Sequence, residues 1–225
     1  MFIKKRFLGA AGIVAVVAFL CIGCSEDNGG NSSSSGNGGS DDSTYNGGGG
    51  NPVGPNNPDN GGGGGSGTVK IGGKTWMAKN LNIATANSKC YNNSADSCAK
   101  YGRLYTWEDA KSACPSGWRL PSDAEWTALT DAVGGESVAG KKLKSKSGWS
   151  NNGNGTDDYG FAALPGGGGN SVGDFDDAGY CGIWWSSTEY DALSAGTRSM
   201  YYDDEYVDRY SSDEALLFSV RCVQD

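Results

Sequence analysis

The sequence predicts an α+β domain in which two short helices precede antiparallel strands and long irregular loops. Two segments near the middle of the chain, beginning at Thr106 and Ser122, carry helix-start signals. Near the C-terminus, hydrophobic and polar residues alternate as they do in a β-strand with one buried face. Between these signals lies a polar, glycine-rich stretch from Gly140 to Gly182, which predicts loops.

The first 23 residues predict a lipoprotein signal peptide. The cationic run Lys4–Arg6 precedes 14 uncharged residues from Phe7 to Leu20, the length of a signal-peptide apolar region rather than of a bilayer-spanning helix. The following Cys21–Cys24 is similar to a bacterial lipobox, which places the lipid on Cys24 and attaches the protein to a membrane. The alternatives are an ordinary secreted protein and an uncleaved membrane anchor.

The acidic residues that follow Cys24 indicate where in the cell the protein is located. Ser25, Glu26 and Asp27 resemble the surface-export signal of some bacterial lipoproteins. We therefore expect an outer-membrane lipoprotein that is exposed at the cell surface rather than in the periplasm. The alternative is a short solvated acidic patch.

Residues 24–67 comprise the anchor cysteine and a segment that predicts a disordered linker. Of the 43 residues from 25 to 67, 16 are glycine, and most others are Asn, Ser, Asp or Pro. Such a segment buries too little apolar surface to offset its ordering entropy, so we expect a coil with a reach of roughly 35 Å. Residues 68–225 contain all seven tryptophans and predict one globular domain.

The domain is predicted to open with a β-hairpin, which the first helix follows. Val69 and Ile71 alternate with polar residues before the turn pair Gly72-Gly73. Thr106 is the expected N-cap of the first helix, which ends before Pro115.

The second helix has the clearest signals in the chain. Ser122 and Glu125 form a capping box, and Gly134 ends the helix. Its apolar stripe consists of Trp126, Leu129 and Val133. The tryptophans expected in the core are Trp76, Trp107, Trp118, Trp126 and one of Trp184 and Trp185.

Three strands are predicted in the last part of the domain, at 183–188, 198–202 and within 215–225. In the last strand, the residues expected on the buried face are Leu216, Phe218, Val220 and Cys222. Ser219 and Arg221 are expected on the opposite face. We expect the first and last strands of the domain to pair.

Five cysteines lie in the domain, and an exported domain is expected to oxidise them. Cys90 and Cys98 flank a short, polar, turn-rich segment, which predicts a local disulfide. A disulfide between Cys114, at the end of the first helix, and Cys222 would close a loop of about 108 residues. Cys181 is then left over, either as a buried thiol or as a competitor for one of these pairs.

The composition excludes several functional classes. The chain has no histidine, so Ser–His–Asp triads, Cys–His pairs and histidine-bearing zinc or haem sites are ruled out. A net charge of −8 argues against nucleic acid as a partner. Binding, structural and carboxylate-driven functions remain.

Four separated motifs resemble one family of exported proteins. In chain order they are KIGGKTWMAKNLN, YGRLYTWEDAKSACPSGWRLPSDAEW, WWSSTEY and FSVRCVQD. They are similar to the Fibrobacter succinogenes major paralogous domain, over about residues 69–225. Members of that family are exported, often as lipoproteins, and have no assigned biochemical activity.

Two of these motifs also resemble C-type-lectin-like domains. CPSGWRLPSDAEW is similar to their second-helix region, and SVRC is similar to their last strand. The resemblance implies a C-type-lectin-like fold, in which a first-helix cysteine bridges a last-strand cysteine; these map onto Cys114 and Cys222. The sequence departs from the sugar-binding lectins because it has no EPN, QPD or WND motif, so their standard calcium-dependent sugar site is not implied.

The acidic stretch after Tyr202 contains the candidate metal ligands. Calcium takes six to eight oxygen ligands from closely spaced carboxylates and carbonyls. The candidates are Asp203, Glu205 and Asp208. We weigh a calcium site there against a solvated acidic loop, and we expect no other cofactor.

The same stretch is the candidate ligand-binding surface. Exposed aromatic faces stack on sugar rings, whereas buried ones only pack in the core. The candidate ligand-binding residues are Tyr201, Tyr202, Tyr206 and Tyr210.

Together these observations favour a non-catalytic recognition or adhesion domain whose partner is a polysaccharide or another cell-surface polymer, such as a surface protein. One alternative is an enzyme like the formylglycine-generating oxidases, whose fold is related to that of C-type lectins. That chemistry needs a reactive cysteine pair, and Cys181 is the only spare thiol. Another alternative is a structural surface protein without a small ligand.

Overall fold

The structure is a computed structural model that describes residues 67–225. The predicted signal peptide, the predicted lipid site at Cys24 and the linker up to residue 66 lie outside the described residues. Among the helices that are described, none has the length and apolar character needed to cross a bilayer.

Helices and strands both contribute to the domain, which confirms the predicted α+β class. The helices are α1 (Ala95–Tyr101), α2 (Trp107–Ala113), α3 (Asp123–Ala132) and α4 (Glu136–Leu143). The first strands are β1 (Thr68–Ile71), β2 (Lys74–Met77), β3 (Leu104–Tyr105), β4 (Trp118–Arg119), β5 (Gly168–Gly169) and β6 (Phe175–Asp176). The remaining strands are β7 (Cys181–Asp191), β8 (Ser194–Tyr201), β9 (Asp208–Asp213), β10 (Phe218–Ser219) and β11 (Val223–Gln224). Short 3₁₀ turns occupy Tyr91–Asn93 and Ser150–Asn152.

The strands form two main sheets and one small one. The four-stranded sheet has the order β1-β2-β11-β4, the five-stranded sheet has the order β3-β10-β7-β8-β9, and β5 pairs with β6. Every pair is antiparallel except β10 with β7. The predicted pairing of the first and last strands is wrong in detail, because Val223 of β11 pairs with Trp76 of β2 and with Arg119 of β4.

The predicted last strand is divided between the two sheets. Phe218 and Ser219 belong to the five-stranded sheet, whereas Val223 belongs to the four-stranded one. The segment lies between other strands in both sheets, and other parts of the domain cover its two faces, so that every residue from 217 to 223 is buried. The expected exposure of Ser219 and Arg221 is therefore wrong, since both are fully buried.

Both predicted helices are present, with the predicted N-caps. The Thr106 side chain accepts a hydrogen bond from the Asp109 backbone N–H, and Ser122 and Glu125 form the complete capping box of α3. Arg119 donates two hydrogen bonds to the Glu125 carboxylate, at 2.7 and 2.6 Å. Side-chain caps thus begin both helices where the sequence indicated.

Glu125 is expected to stabilise the domain at neutral pH and to lose this effect in acid. The hydrogen bond from Arg119 lowers the pKa of Glu125 from 4.5 to about 2, against the opposing effect of burial and with help from Ser122. A lowered folded-state pKa stabilises the fold above the unfolded pKa, and this stabilisation is lost as the pH falls through the folded pKa. Glu125→Gln should thus lower the free energy of unfolding by about 1–2 kcal/mol at pH 7, allowing for solvent screening.

The measurement is urea denaturation of the wild type and Glu125→Gln at pH 7 and pH 3. The difference in unfolding free energy should shrink at the lower pH, where the unfolded carboxyl is protonated. Asp131→Asn is the control, since this exposed residue lies on the same helix and changes the same charge. An equal Glu125→Gln effect at both pH values would contradict the assignment.

Tryptophans dominate the core. Trp76, Trp107 and Trp126 are buried as predicted. Trp118 is only partly buried, on the edge strand β4, so its placement in the core is wrong. Trp184 and Trp185 are both fully buried, whereas only one of them was expected in the core. They lie on opposite faces of β7, and other parts of the domain cover both faces.

Two disulfides connect the predicted cysteine pairs. Cys90 is bonded to Cys98, and Cys114 is bonded to Cys222 across a separation of 108 residues. Cys181 belongs to neither bond and is fully buried at the start of β7. The predicted pairing is therefore confirmed, and Cys181 is the buried thiol rather than the competitor.

Candidate functional site

A shallow depression of about 150 Å³ lies beside the acidic loop of residues 202–206. We call it the loop depression. The residues that line it are Lys141, Lys144, Asn152, Gly153, Asn154, Tyr202, Asp203, Asp204 and Glu205. It therefore combines side chains of α4, of the 150–154 turn and of the loop that follows β8.

Three glycines allow the backbones around the loop depression to approach one another closely. A Cβ atom at Gly140 would lie 2.3 Å from the Tyr206 carbonyl oxygen, and one at Gly153 would lie 2.1 Å from that of Tyr202. A Cβ atom at Gly155 would lie 2.3 Å from the Lys144 carbonyl oxygen. Real side chains do not fit at such distances, so glycine is required at all three positions.

Backbone hydrogen bonds hold the 202–206 loop against α4. The Lys141 N–H donates to the Glu205 carbonyl at 3.3 Å, and the Val207 N–H donates to the Glu136 carbonyl at 2.9 Å. The Asp204 carboxylate also accepts from the Tyr206 N–H at 3.1 Å. The acidic side chains of the loop are thus presented from an ordered backbone.

Lys144 lies under this loop and is almost completely buried. Its Nζ donates to the carbonyl oxygens of Tyr201, at 2.9 Å, and of Asp204, at 2.8 Å. The Nζ also lies 5.0 Å from the centre of the Trp149 ring. Burial lowers the pKa of Lys144, and the nearby Asp204 carboxylate opposes that shift.

The opposite wall is a turn that presents amide side chains. Asn151 and Asn152 are exposed and have left-handed backbones, with φ of 50° and 60°. Asn154 fixes the turn, because its Oδ1 accepts from the Trp149 backbone N–H at 3.0 Å. Trp149, the residue that precedes this turn, is itself buried.

Tyr202, which lines the loop depression, forms an aromatic pair with Tyr180. The rings of Tyr180 and Tyr202 meet edge to face, with centres 5.3 Å apart. Tyr180 is exposed, whereas Tyr202 is partly buried against the core. The depression therefore offers carboxylate and amide groups next to an accessible tyrosine.

The structure divides the predicted site residues between two surfaces. Tyr202, Asp203 and Glu205 line the loop depression, and the exposed Tyr206 follows them. The others lie elsewhere, on the two neighbouring strands β8 and β9: Tyr201, Asp208 and Tyr210.

The register of β8 and β9 places the second group on one face of the five-stranded sheet. Asp208 pairs with Ser199, and Tyr210 pairs with Thr197. Because side chains alternate along a strand, Tyr201 shares the face of Ser199 and Thr197. Tyr202, the next residue, is directed to the other side.

The three predicted metal ligands are therefore not assembled. Asp203 and Glu205 lie in the loop, whereas Asp208 lies on β9. Within residues 67–225, no group of three or more Cys, Asp or Glu side chains is arranged to hold a metal ion.

Two members of the site had little sequence signal. Lys144 is a buried lysine, and lysines are normally exposed. Tyr180 lies far from Tyr202 in the sequence and meets it through the pairing of β7 and β8. The alternating Asn152-Gly153-Asn154-Gly155 was the one local indication that a backbone is closely approached here.

A family comparison identifies the domain. The model of the Fibrobacter succinogenes major domain matches residues 69–224, which is more than half of the chain. No curated protein matches the chain significantly, and no solved structure does. On the strength of this match and of the motifs it covers, the chain belongs to the Fibrobacter succinogenes major domain family.

Proposed function

We propose that this protein is a surface-anchored lipoprotein whose domain recognises polysaccharide without catalysing a reaction. The observation that carries the proposal is the loop depression, which Asp203, Glu205 and Asn152 line together with Tyr202, whose ring packs against the accessible ring of Tyr180. Carboxylates and amides hydrogen-bond sugar hydroxyls, while an aromatic ring packs against the apolar face of a sugar. The surrounding backbone is ordered, so little entropy is lost on binding.

A C-type-lectin-like fold is part of this proposal. The disulfide from the end of α2 to the C-terminal segment, between Cys114 and Cys222, supports it. The proposal of a lipid anchor rests on the N-terminal sequence alone. Mass spectrometry of native material would test that anchor, since an unmodified N-terminus would rule out lipid on Cys24.

A non-catalytic role is favoured over an oxidase by the state of the cysteines. Four of the five domain cysteines form two disulfides, and Cys181 is fully buried. A reactive pair in the domain would require one of these disulfides to open. Thiol counting on the non-reduced, denatured protein tests this point, with one reactive domain thiol expected.

Pull-down with insoluble polysaccharides and a glycan array, each with and without calcium, tests the recognition proposal. Tyr180→Ala and Asp203→Asn are expected to weaken binding about five- to ten-fold, because each removes a contact group at the loop depression. Tyr190→Ala is the control, since Tyr190 is 74% exposed and belongs to neither wall. Absence of binding to every polysaccharide in both conditions would contradict the proposal.

A further inference from the structure

Lys144 places a positive charge beneath the loop that forms one wall of the depression. The side chain leaves the end of α4 and is 2% exposed. Its Nζ contacts the carbonyl oxygens at the two ends of a short chain segment, Tyr201 and Asp204. One ammonium group therefore holds both Tyr201, the residue before the 202–206 loop, and Asp204, in the middle of that loop.

The ligands around this ammonium are those that a hard cation prefers. Two backbone carbonyl oxygens lie within 2.9 Å of Nζ. The carboxylates of Asp204, Glu205 and Asp203 interact electrostatically with the same charge. Bound calcium collects carbonyl and carboxylate oxygens in this manner when it orders an irregular loop.

We infer that the Lys144 ammonium performs the ordering role of a bound metal ion, so that the 202–206 loop keeps its conformation without calcium. The loop depression is then preformed in the absence of metal. The expectation that the ligand binds without calcium rests on the proposed function. The ordering of the loop by Lys144 does not rest on it.

Lys141 provides the matched comparison. It lies on the same helix and also lines the loop depression, but it is only partly buried. Its Nζ makes a single long hydrogen bond, 3.4 Å to the Asn154 carbonyl oxygen, and in the described residues its side chain forms no hydrogen bond or ion pair with the 202–206 loop. Removing either lysine changes the net charge equally, but only Lys144 holds the loop.

The test compares Lys144→Met and Lys141→Met in the full chain by hydrogen exchange of residues 201–207. Lys144→Met keeps most of the side-chain volume but leaves the partly buried carbonyls of Tyr201 and Asp204 without their charged donor. We expect loop amides to exchange at least about ten-fold faster in Lys144→Met, because hydrogen bonds from charged donors are among the stronger ones. We expect no such change in Lys141→Met.

A second arm uses the wild-type protein, so that it does not depend on the folding of any variant. Exchange of residues 201–207 and the melting temperature are measured in chelator and in millimolar calcium. We expect both to be unchanged. Loss of loop protection in the chelator, or equal exchange in the two lysine variants, would overturn the inference.

A third arm separates this inference from the proposed function. Polysaccharides retained by the wild type should be retained equally in chelator and in calcium. Failure to bind any polysaccharide would contradict the proposed function while the exchange results still decide the role of Lys144. Binding that requires calcium would overturn the inference of metal-independent recognition.

Discussion

Replacing Cys114 and Cys222 together by alanine is expected to lower the free energy of unfolding by about 4–5 kcal/mol. Their bond spans 108 residues, which is most of the domain. Without it the unfolded chain gains the conformational freedom of a loop of that size, and this gain grows with the logarithm of loop length. We therefore expect this pair of substitutions to have the largest effect on stability in the domain.

The other disulfide is the matched control. Cys90 and Cys98 are separated by 8 residues, so replacing both by alanine should cost about 2–3 kcal/mol on the same chain-entropy argument. Urea denaturation of both double variants without reductant measures the two values. Equal losses of stability would show that loop length does not govern the contribution of these bonds.

Asn80→Ala is expected to lower the free energy of unfolding by about 3–4 kcal/mol, because it leaves a buried guanidinium without its main acceptor. The Asn80 Oδ1 accepts from Arg221 Nη2 at 2.8 Å, from Arg221 Nε at 3.2 Å and from Trp184 Nε1 at 2.9 Å. Its Nδ2 donates to the Tyr101 carbonyl oxygen at 2.9 Å. One small side chain therefore satisfies polar groups from three separate parts of the chain.

Arg221 is the reason that the loss is large. It is fully buried, forms no salt bridge within residues 67–225, and has its guanidinium 4.3 Å from the centre of the Phe161 ring. Burial lowers its pKa to about 9, and the charge of Asp157 opposes the shift. Its remaining acceptors are the carbonyl oxygens of Met77, Phe161 and Ala162, the last at 3.5 Å.

Chemical denaturation at pH 7 measures the effect of Asn80→Ala. Asn82→Ala is the control, because Asn82 is exposed two residues further along and should change stability by less than about 0.5 kcal/mol. The double variant Asn80→Leu with Arg221→Met should be more stable than Asn80→Leu alone, since no buried charge is left unmatched. A loss below about 1 kcal/mol for Asn80→Ala would contradict the role of this network.

Features that depend on local chemistry were predictable from the sequence. The N-caps at Thr106 and Ser122 need only neighbouring residues, and the short Cys90–Cys98 loop is equally local. The helix α4 was not predicted, because Gly140 reads as a helix breaker in the sequence. In the structure, this glycine is needed where the 202–206 loop crosses the helix.

Features that depend on distant partners were not predictable. The local sequence predicts Arg221 as an exposed strand residue, because its buried partner Asn80 lies 141 residues earlier in the chain. The loop depression has the same origin, since Lys144 meets the carbonyl oxygen of Tyr201 across 57 residues. The sequence indicated Tyr202, Asp203 and Glu205 because acids and aromatics cluster there, but the groups that hold them lie on α4 and the 150–154 turn.

The position of β11 between β2 and β4 has a consequence for biosynthesis. A nascent chain cannot close the four-stranded sheet until Val223 has been translated, because that residue joins the two flanking strands. Because Cys181 precedes Cys222 in the chain, Cys114 still lacks its partner when Cys181 is made. The hairpin of β7 and β8 forms from adjacent segments and can therefore fold before that sheet closes. In the complete domain, Cys181 at the start of this hairpin is buried outside both disulfides, where oxidants do not reach it.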